Sequence, residues 1–195
     1  PVYGMNYGTI GFLMNEFSEK DLFDRLNAAE ETVISPLKME AQCIDGSLKS
    51  ELAINEVSLL RSGPQAANLR ISVDGKERMK ELVCDGALVC TPAGSTAYNY
   101  SSHGPILPID AEVLALTAMA AYRPRRWRGA VLPCDAIIEL EATQTGKRPV
   151  SAFADNREVK NVVKVQIQTE KNIKHRLLFD PGHGLEERLL NEQFT

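Results

Sequence analysis

Of 195 residues, only four are cysteine and three are histidine. The cysteines, at 43, 84, 90 and 134, form no C-x-x-C pair, and His103, His175 and His183 are scattered. Zinc sites of the usual spacing are thereby excluded, and no structural metal is expected. Each cysteine sits in an apolar or strand-like context, which predicts reduced, mostly buried thiols in a cytoplasmic protein rather than a disulfide framework. No apolar run approaches the roughly 18 residues of a membrane span. Pro1-Val2-Tyr3-Gly4 lacks the charged and apolar regions of a signal peptide. A basic surplus is missing too: 22 lysines and arginines face 26 acidic residues, for a formal net charge of −4. That balance argues against a general nucleic-acid binder. No G-x-x-x-x-G-K-[ST] occurs, so a P-loop kinase is excluded, and G-x-G-x-x-G is absent as well.

What is present is the composition of a globular domain, 44% hydrophobic and 25% charged, in a chain long enough to bury a sound core. Pro1 to Met5 reads as the end of a strand, and Asn6 to Leu13 as a glycine-containing loop. Ser18, with Asp21 three residues on, predicts a capped helix carrying Leu22, Phe23, Leu26 and Ala29 on one face and ending near Thr32-Val33. From there the pattern turns to strands. Leu37 to Cys43 alternates apolar and polar residues, Asp45-Gly46 turns, and a return strand runs from Leu48 to Leu60. Asn68 to Val73 with Asp74-Gly75 predicts a second hairpin returning toward Val83. Asp110 to Met119 reads as a short helix with Asp110 as its cap. Segments 129–132, 136–142, 149–154, 159–169 and 176–179 read as strands, and Glu186 to Phe194 as a closing helix. The expected organisation is an α+β protein. A two-layer, mostly antiparallel β-rich body spans 33–180, with 1–32 as the end of an α/β lobe and 181–195 as a helix returning to it.

The most informative stretch is Asp85-Gly86-Ala87-Leu88-Val89-Cys90-Thr91-Pro92-Ala93-Gly94-Ser95-Thr96-Ala97-Tyr98-Asn99-Tyr100-Ser101. Ala87 to Cys90 predicts a short buried strand that must stop at Pro92, which has no N–H for a ladder. Gly94 permits close approach of another group to the backbone. Thr96, Ala97 and Tyr98 open a short helix beside hydroxyls and an aromatic ring, a cradle for a small ligand with hydrogen-bonding edges. Composition alone favours an ordinary Gly/Pro/Ser loop joining two strands.

Taken together, Asn55-Glu56, Asp85-Gly86, the run from Thr91 to Tyr98, Gly104-Pro105-Ile106-Leu107-Pro108 and Ala154-Asp155 resemble, in order, the motif blocks of NAD kinases. Gly4 to Leu13 resembles a further segment of that family, and the likeness covers essentially the whole chain. The resemblance implies a C-terminal β-rich NAD kinase domain with remnants of an N-terminal α/β, Rossmann-like lobe. It implies transfer of a phosphoryl group from ATP or polyphosphate, with Mg²⁺, to the 2′-hydroxyl of the adenosine ribose of NAD, giving NADP. Asn55, Thr96 and Ser101 would hydrogen-bond the adenine and Glu56 would face the adjacent ribose. Tyr98 would flank a base or ribose, with Ala93 and Ala97 leaving room for the base near the main chain. Asp85, from a neighbouring subunit of a homodimer or homotetramer, would bind the other end of the dinucleotide.

Asp155 and Asn156 are candidates for the donor side, with Asn156 where the family often has histidine. A basic run, Tyr122 to Arg128, would steer an anion or fix a subunit contact, or simply form a solvated loop. The family's G-G-D-G motif, whose aspartate is the catalytic group, has no counterpart here, so the resemblance assigns no catalytic residue to this chain. The alternatives are a catalytically incomplete dinucleotide-binding module and, on fewer shared motifs, a lipid-kinase relative.

Overall fold

The computed structural model describes residues 1–8, 11 and 13–182. Along the chain come β1 (Met5–Asn6), β2 (Asn15–Glu16), α1 (Leu22–Ala28), β3 (Glu30–Ile34), β4 (Leu37–Cys43), β5 (Leu48–Ala53) and β6 (Glu56–Arg61). Then follow β7 (Ala67–Val73), β8 (Lys76–Cys84) and β9 (Gly86–Cys90), a 3-10 turn at Ala93–Thr96 and α2 (Tyr98–Ser101). The rest is β10 (Val113–Met119), β11 (Gly129–Pro133), β12 (Ile138–Ala142), β13 (Val150–Ala154), β14 (Arg157–Val159), β15 (Val162–Thr169) and β16 (His175–Phe179).

Two six-stranded sheets form the body, in the orders β5-β4-β15-β12-β7-β8 and β11-β10-β9-β6-β13-β14. Every pairing within them is antiparallel. Their facing sides share one core: Met39, Leu69, Ile71, Leu140 and Ile167 from the first sheet pack with Val57, Leu59, Val89, Leu114 and Val150 from the second. The expected two-layer antiparallel architecture is therefore found. Both Asp-Gly turns close hairpins as expected, β4 to β5 and β7 to β8.

The outer sides of the two sheets differ. The first is a charged, solvated face crossed by Lys164–Glu139 at 2.6 Å and Arg70–Glu141 at 3.0 Å. The outer side of the second is itself covered: Leu88, Cys90, Ala115 and Met119 form a separate apolar cluster under Leu107. Strands β9 and β10 are consequently buried on both faces.

That double burial explains one correction. Asp110 to Met119 does not form a helix: Val113–Met119 is β10, between β9 and β11. A short run apolar on all sides fits helix and strand equally, and pairing on both edges decides it. The return strand expected from Leu48 to Leu60 is two strands, β5 and β6, in different sheets, with the chain crossing over at Ile54-Asn55.

The first helix also differs. It starts at Leu22 after Asp21 in a left-handed conformation (φ 52°), without a side-chain cap, and ends at Ala28 rather than near residue 32. Glu30–Ile34 pairs instead with β16, and that tertiary pairing overrides local helical spacing. The apolar row on this helix is not buried: Phe23 and Leu26 are exposed. Met5–Asn6 forms a short strand paired in parallel with Asn15–Glu16, so the strand expected to end at Met5 runs on to Asn6, the first residue read as loop. The expected closing helix at 186–194 lies outside the described residues. Cys43, Cys84 and Cys90 are buried and Cys134 half-buried, all free thiols as expected.

Candidate functional site

Three strand ends meet at one end of the second sheet. Cys90 closes β9 opposite Glu56, which opens β6, and Val57 pairs with Ala154, which closes β13. The Thr91 bend, the Asn55-Glu56 crossover and the turn at Asp155-Asn156 are therefore neighbours, although up to a hundred residues separate them in sequence.

The bend is held by buried polar side chains that all point inward. Thr91 Oγ1 donates to the Ile54 carbonyl at 2.7 Å and accepts from the Gly94 N–H at 3.1 Å. Ser95 Oγ donates to the Pro92 carbonyl (2.7 Å) and accepts from the Leu107 N–H (3.0 Å). Asn99 donates to the Ser95 and Pro105 carbonyls and accepts from Thr117 Oγ1 at 2.7 Å. Ser95 and Asn99 are four residues apart and fully buried, so they share the inward side of the 93–101 segment. Sequence reading assigned no role to Thr91, Ser95, Asn99 or Thr117; the Ser-x-x-x-Asn spacing was the available signal. Gly94 is required for contact: a Cβ there would overlap the Asn55 carbonyl and stand 2.5 Å from the Asn55 Cα.

With the inward groups satisfied, the outward ones are left over. Among the described residues the Asn55 amide and the Thr96 and Ser101 hydroxyls have no hydrogen-bond partner, and Ser101 and Tyr98 are exposed. Ala93 is buried and Ala97 half-buried. Glu56 is half-buried, and its Oε2 is enclosed without a partner. Burial first, and the neighbouring Asp155 carboxylate second, push its carboxyl up to about 7, with the Tyr98 backbone N–H pulling the other way. Asp155 itself is engaged with backbone: Oδ2 accepts from the Ile54 N–H at 2.7 Å, and Oδ1 from Asn55 and Glu56 at 3.0 and 3.1 Å. Asn156 beside it is exposed. A cavity of about 480 Å³ opens on residues 91–93 and is also lined by Ile34, Cys134, Lys171 and Lys174; of the candidate contacts only Ala93 reaches it.

Asp85 is not in this group. It stands at the opposite end of β9, six residues from Thr91, roughly 20 Å along an extended strand. There it pairs with Arg61 Nε at 2.6 Å. The basic run lies at that same end, where the Tyr122 N–H donates to the Val83 carbonyl. The guanidinium carbons of Arg123 and Arg125 sit 5.7 and 5.5 Å from the Tyr122 ring centre. Among the described residues no group of three or more His, Cys, Asp or Glu could hold a metal ion.

Comparison with known proteins gives a consistent answer. Residues 54–179 match the family model of the ATP-NAD kinase C-terminal domain. The chain is 66% identical over 195 residues to an NAD kinase of Cereibacter sphaeroides, all of this chain and 77% of that protein. It is 57% identical over 195 residues to an NAD kinase of Hyphomonas neptunium, 76% of which is covered. Among solved structures, yeast NADH kinase complexed with NADH superposes with a TM-score of 0.84 at 23% identity, over 97% of this chain and 57% of that one. An NAD kinase from Archaeoglobus fulgidus in complex with ATP gives 0.78 at 24% identity, over 98% and 73% of the two chains. These two structures share the fold. With well over half of the chain matched by the family model and relatives this similar over the full length of the sequence, the chain belongs to the NAD kinase family.

Proposed function

We propose that this chain carries the acceptor site of an enzyme that moves a phosphoryl group from ATP, or polyphosphate, to the 2′-hydroxyl of the adenosine ribose of NAD, yielding NADP. The observation that carries the reading is a contrast within one bend. Thr91, Ser95 and Asn99 are buried and internally bonded, whereas Asn55, Thr96 and Ser101 offer polar groups without a partner among the described residues. An amide and two hydroxyls suit the donor–acceptor edge of an adenine. Glu56, next to Asn55, takes the ribose; its enclosed Oε2 needs a hydrogen-bond donor, and a ribose hydroxyl is one. Tyr98 supplies an aromatic flank, while Ala93 and Ala97 keep side-chain bulk away from the base.

The opposite end of the dinucleotide goes to Asp85 of a neighbouring subunit. The span of β9 between Asp85 and the bend supports sharing between copies, in a homodimer or homotetramer with composite sites. Asn156 remains the donor-side candidate. Mg²⁺ brought by the phosphate donor would supply positive charge to offset charge on the transferred group. No residue of this chain is assigned the ribose proton. Residues 33–180 form the acceptor body, with 1–32 belonging to an adjoining α/β lobe. The free thiols suit a cytoplasmic setting.

Family membership favours this enzyme over an inactive dinucleotide-binding module. The test is NADP formation by the full-length protein with NAD, ATP and Mg²⁺, paired with NAD titration of Asn55→Ala. NADP production together with weakened NAD binding in the variant supports the assignment. Binding without any turnover would favour the module.

A further inference from the structure

We infer that Asp155 is a positioning residue of the acceptor site: its carboxylate holds the Asn55-Glu56 crossover in place through three backbone N–H groups, so that only the Asn55 and Glu56 side chains are left for a nucleotide. The inference rests on the adenosine site proposed above. It reassigns Asp155 from the phosphate donor to the frame that presents the acceptor.

Residues 54 and 55 are where the chain leaves one sheet for the other, outside both ladders, and Glu56 opens β6 opposite Cys90. Buried or half-buried backbone groups need partners. The carbonyls find theirs in Thr91, whose N–H donates to Asn55 at 2.9 Å and whose Oγ1 donates to Ile54 at 2.7 Å. The three N–H groups find theirs in Asp155, at 2.7, 3.0 and 3.1 Å. A return bond from the Asp155 N–H to the Glu56 carbonyl at 3.0 Å closes the clamp. The crossover is thus gripped from two sides by two residues about sixty positions apart in sequence.

The turn that carries Asp155 holds it at φ 50°, a conformation that aspartate and asparagine tolerate better than most residues. A short, charged acceptor at this position bonds all three donors at once. Three N–H bonds to one carboxylate are charge-assisted and stronger than neutral equivalents.

The clamp has an electrostatic consequence for its neighbour. The groups acting on the Glu56 carboxyl are Asp155 and the Tyr98 N–H, and the thiol of Cys90 faces it across the ladder. Burial pushes that thiol up to about 12, so it carries no charge near neutrality. Arg157, two residues beyond Asp155, feels its charge but is itself paired with Glu51 at 2.7 Å, and no cation is among the groups that act on the Glu56 carboxyl. A ribose hydroxyl donating to Oε2 favours the ionised form of Glu56, so NAD binding releases a proton near neutral pH and weakens as pH falls.

The test uses the full-length protein and Asp155→Asn, which keeps the turn conformation and one acceptor oxygen but aims an amide donor at a backbone N–H. NAD affinity is titrated on both sides of neutrality. Above neutrality the variant should bind about tenfold more weakly. The midpoint of its pH dependence should fall, because the charge beside Glu56 is gone. Hydrogen exchange of the 54–56 amides in nucleotide-free protein reads the clamp alone and should quicken in the variant. Unchanged exchange overturns the inference, as does a variant that loses affinity only through lower thermal stability with the midpoint unmoved. If the parent protein takes up no NAD while exchange quickens as expected, the clamp stands and the nucleotide assignment fails.

Discussion

Gly94 and Asn55 touch through their main chains: the contact leaves no room for a methyl group between them, since a Cβ on Gly94 would come within 2.5 Å of the Asn55 Cα. The bend after β9 and the crossover before β6 are thus a single packed unit, and the candidate nucleotide contacts on each move together. Gly94→Ala should separate them. Overpacking of this kind costs about 1–3 kcal/mol, and NAD affinity should fall at least about tenfold. Denaturant unfolding and NAD titration on the same preparation check this. A variant with full affinity would show that the two segments are not one unit.

Asn99 bridges three parts of the structure, the 3-10 turn, the Pro105 loop and Thr117 on β10. Asn99→Ala leaves two carbonyls and a hydroxyl buried without that partner. The expected destabilisation is roughly 2–4 kcal/mol, read from the urea midpoint. Thr96→Ala, on the outward side of the same segment, should stay within about 0.5 kcal/mol of the parent.

Glu56 gives a pH signature in the nucleotide-free protein. Its folded-state carboxyl lies at about 7 against an ordinary value of 4.5. The folded state therefore holds a proton that the unfolded state has already lost between those limits. The stability tied to that proton is fully present below pH 4.5 and disappears as pH rises through about 7. Glu56→Gln removes the titration. Its melting temperature relative to the parent should be unchanged at low pH, should rise across the window, and should level off above it. A constant difference at all pH values would contradict the burial of this carboxyl.

Asp85 and Arg61 form an ion pair on the surface, with side chains 49% and 36% exposed. Such a pair contributes little to stability. On the proposed site, in which this carboxylate serves a neighbouring copy's nucleotide, Asp85→Asn should unfold like the parent yet bind NAD more weakly. Mixing Asp85→Asn with Asn55→Ala subunits should restore activity above that of either variant alone, since some composite sites regain both groups. Absence of complementation in a demonstrated mixed oligomer would put Asp85 outside the site.

Much of this was legible in the residues. The two Asp-Gly hairpins, the alternation in Leu37 to Cys43 and the halt at Pro92 all follow local rules that tertiary context did not override. The misread elements share a cause. Val113–Met119 lacks alternation because both its faces are covered, and Glu30–Ile34 is strand because β16, about 140 residues away, pairs with it. Leu48 to Leu60 looks continuous because a change of sheet leaves only Asn55 and its neighbours as a trace. At the site, Asn55, Glu56 and Thr96 carried motif signals for their contacts, whereas Thr91 and Asp155 stood in motif blocks without any sign that they act as supports. The bonds of Thr91 to Ile54, Asn99 to Thr117 and Asp155 to the crossover are products of folding.

The central claim is that an adenosine lies against the bend with its base on Asn55, Thr96 and Ser101 and its ribose on Glu56. A crystal structure of the full-length protein with NADP tests it most directly. The adenine edge should lie within hydrogen-bond distance of the Asn55 amide and of at least one of the two hydroxyls, with a ribose oxygen at the Glu56 carboxylate. Electron density placing the adenine elsewhere, with those side chains still facing water, would contradict the account.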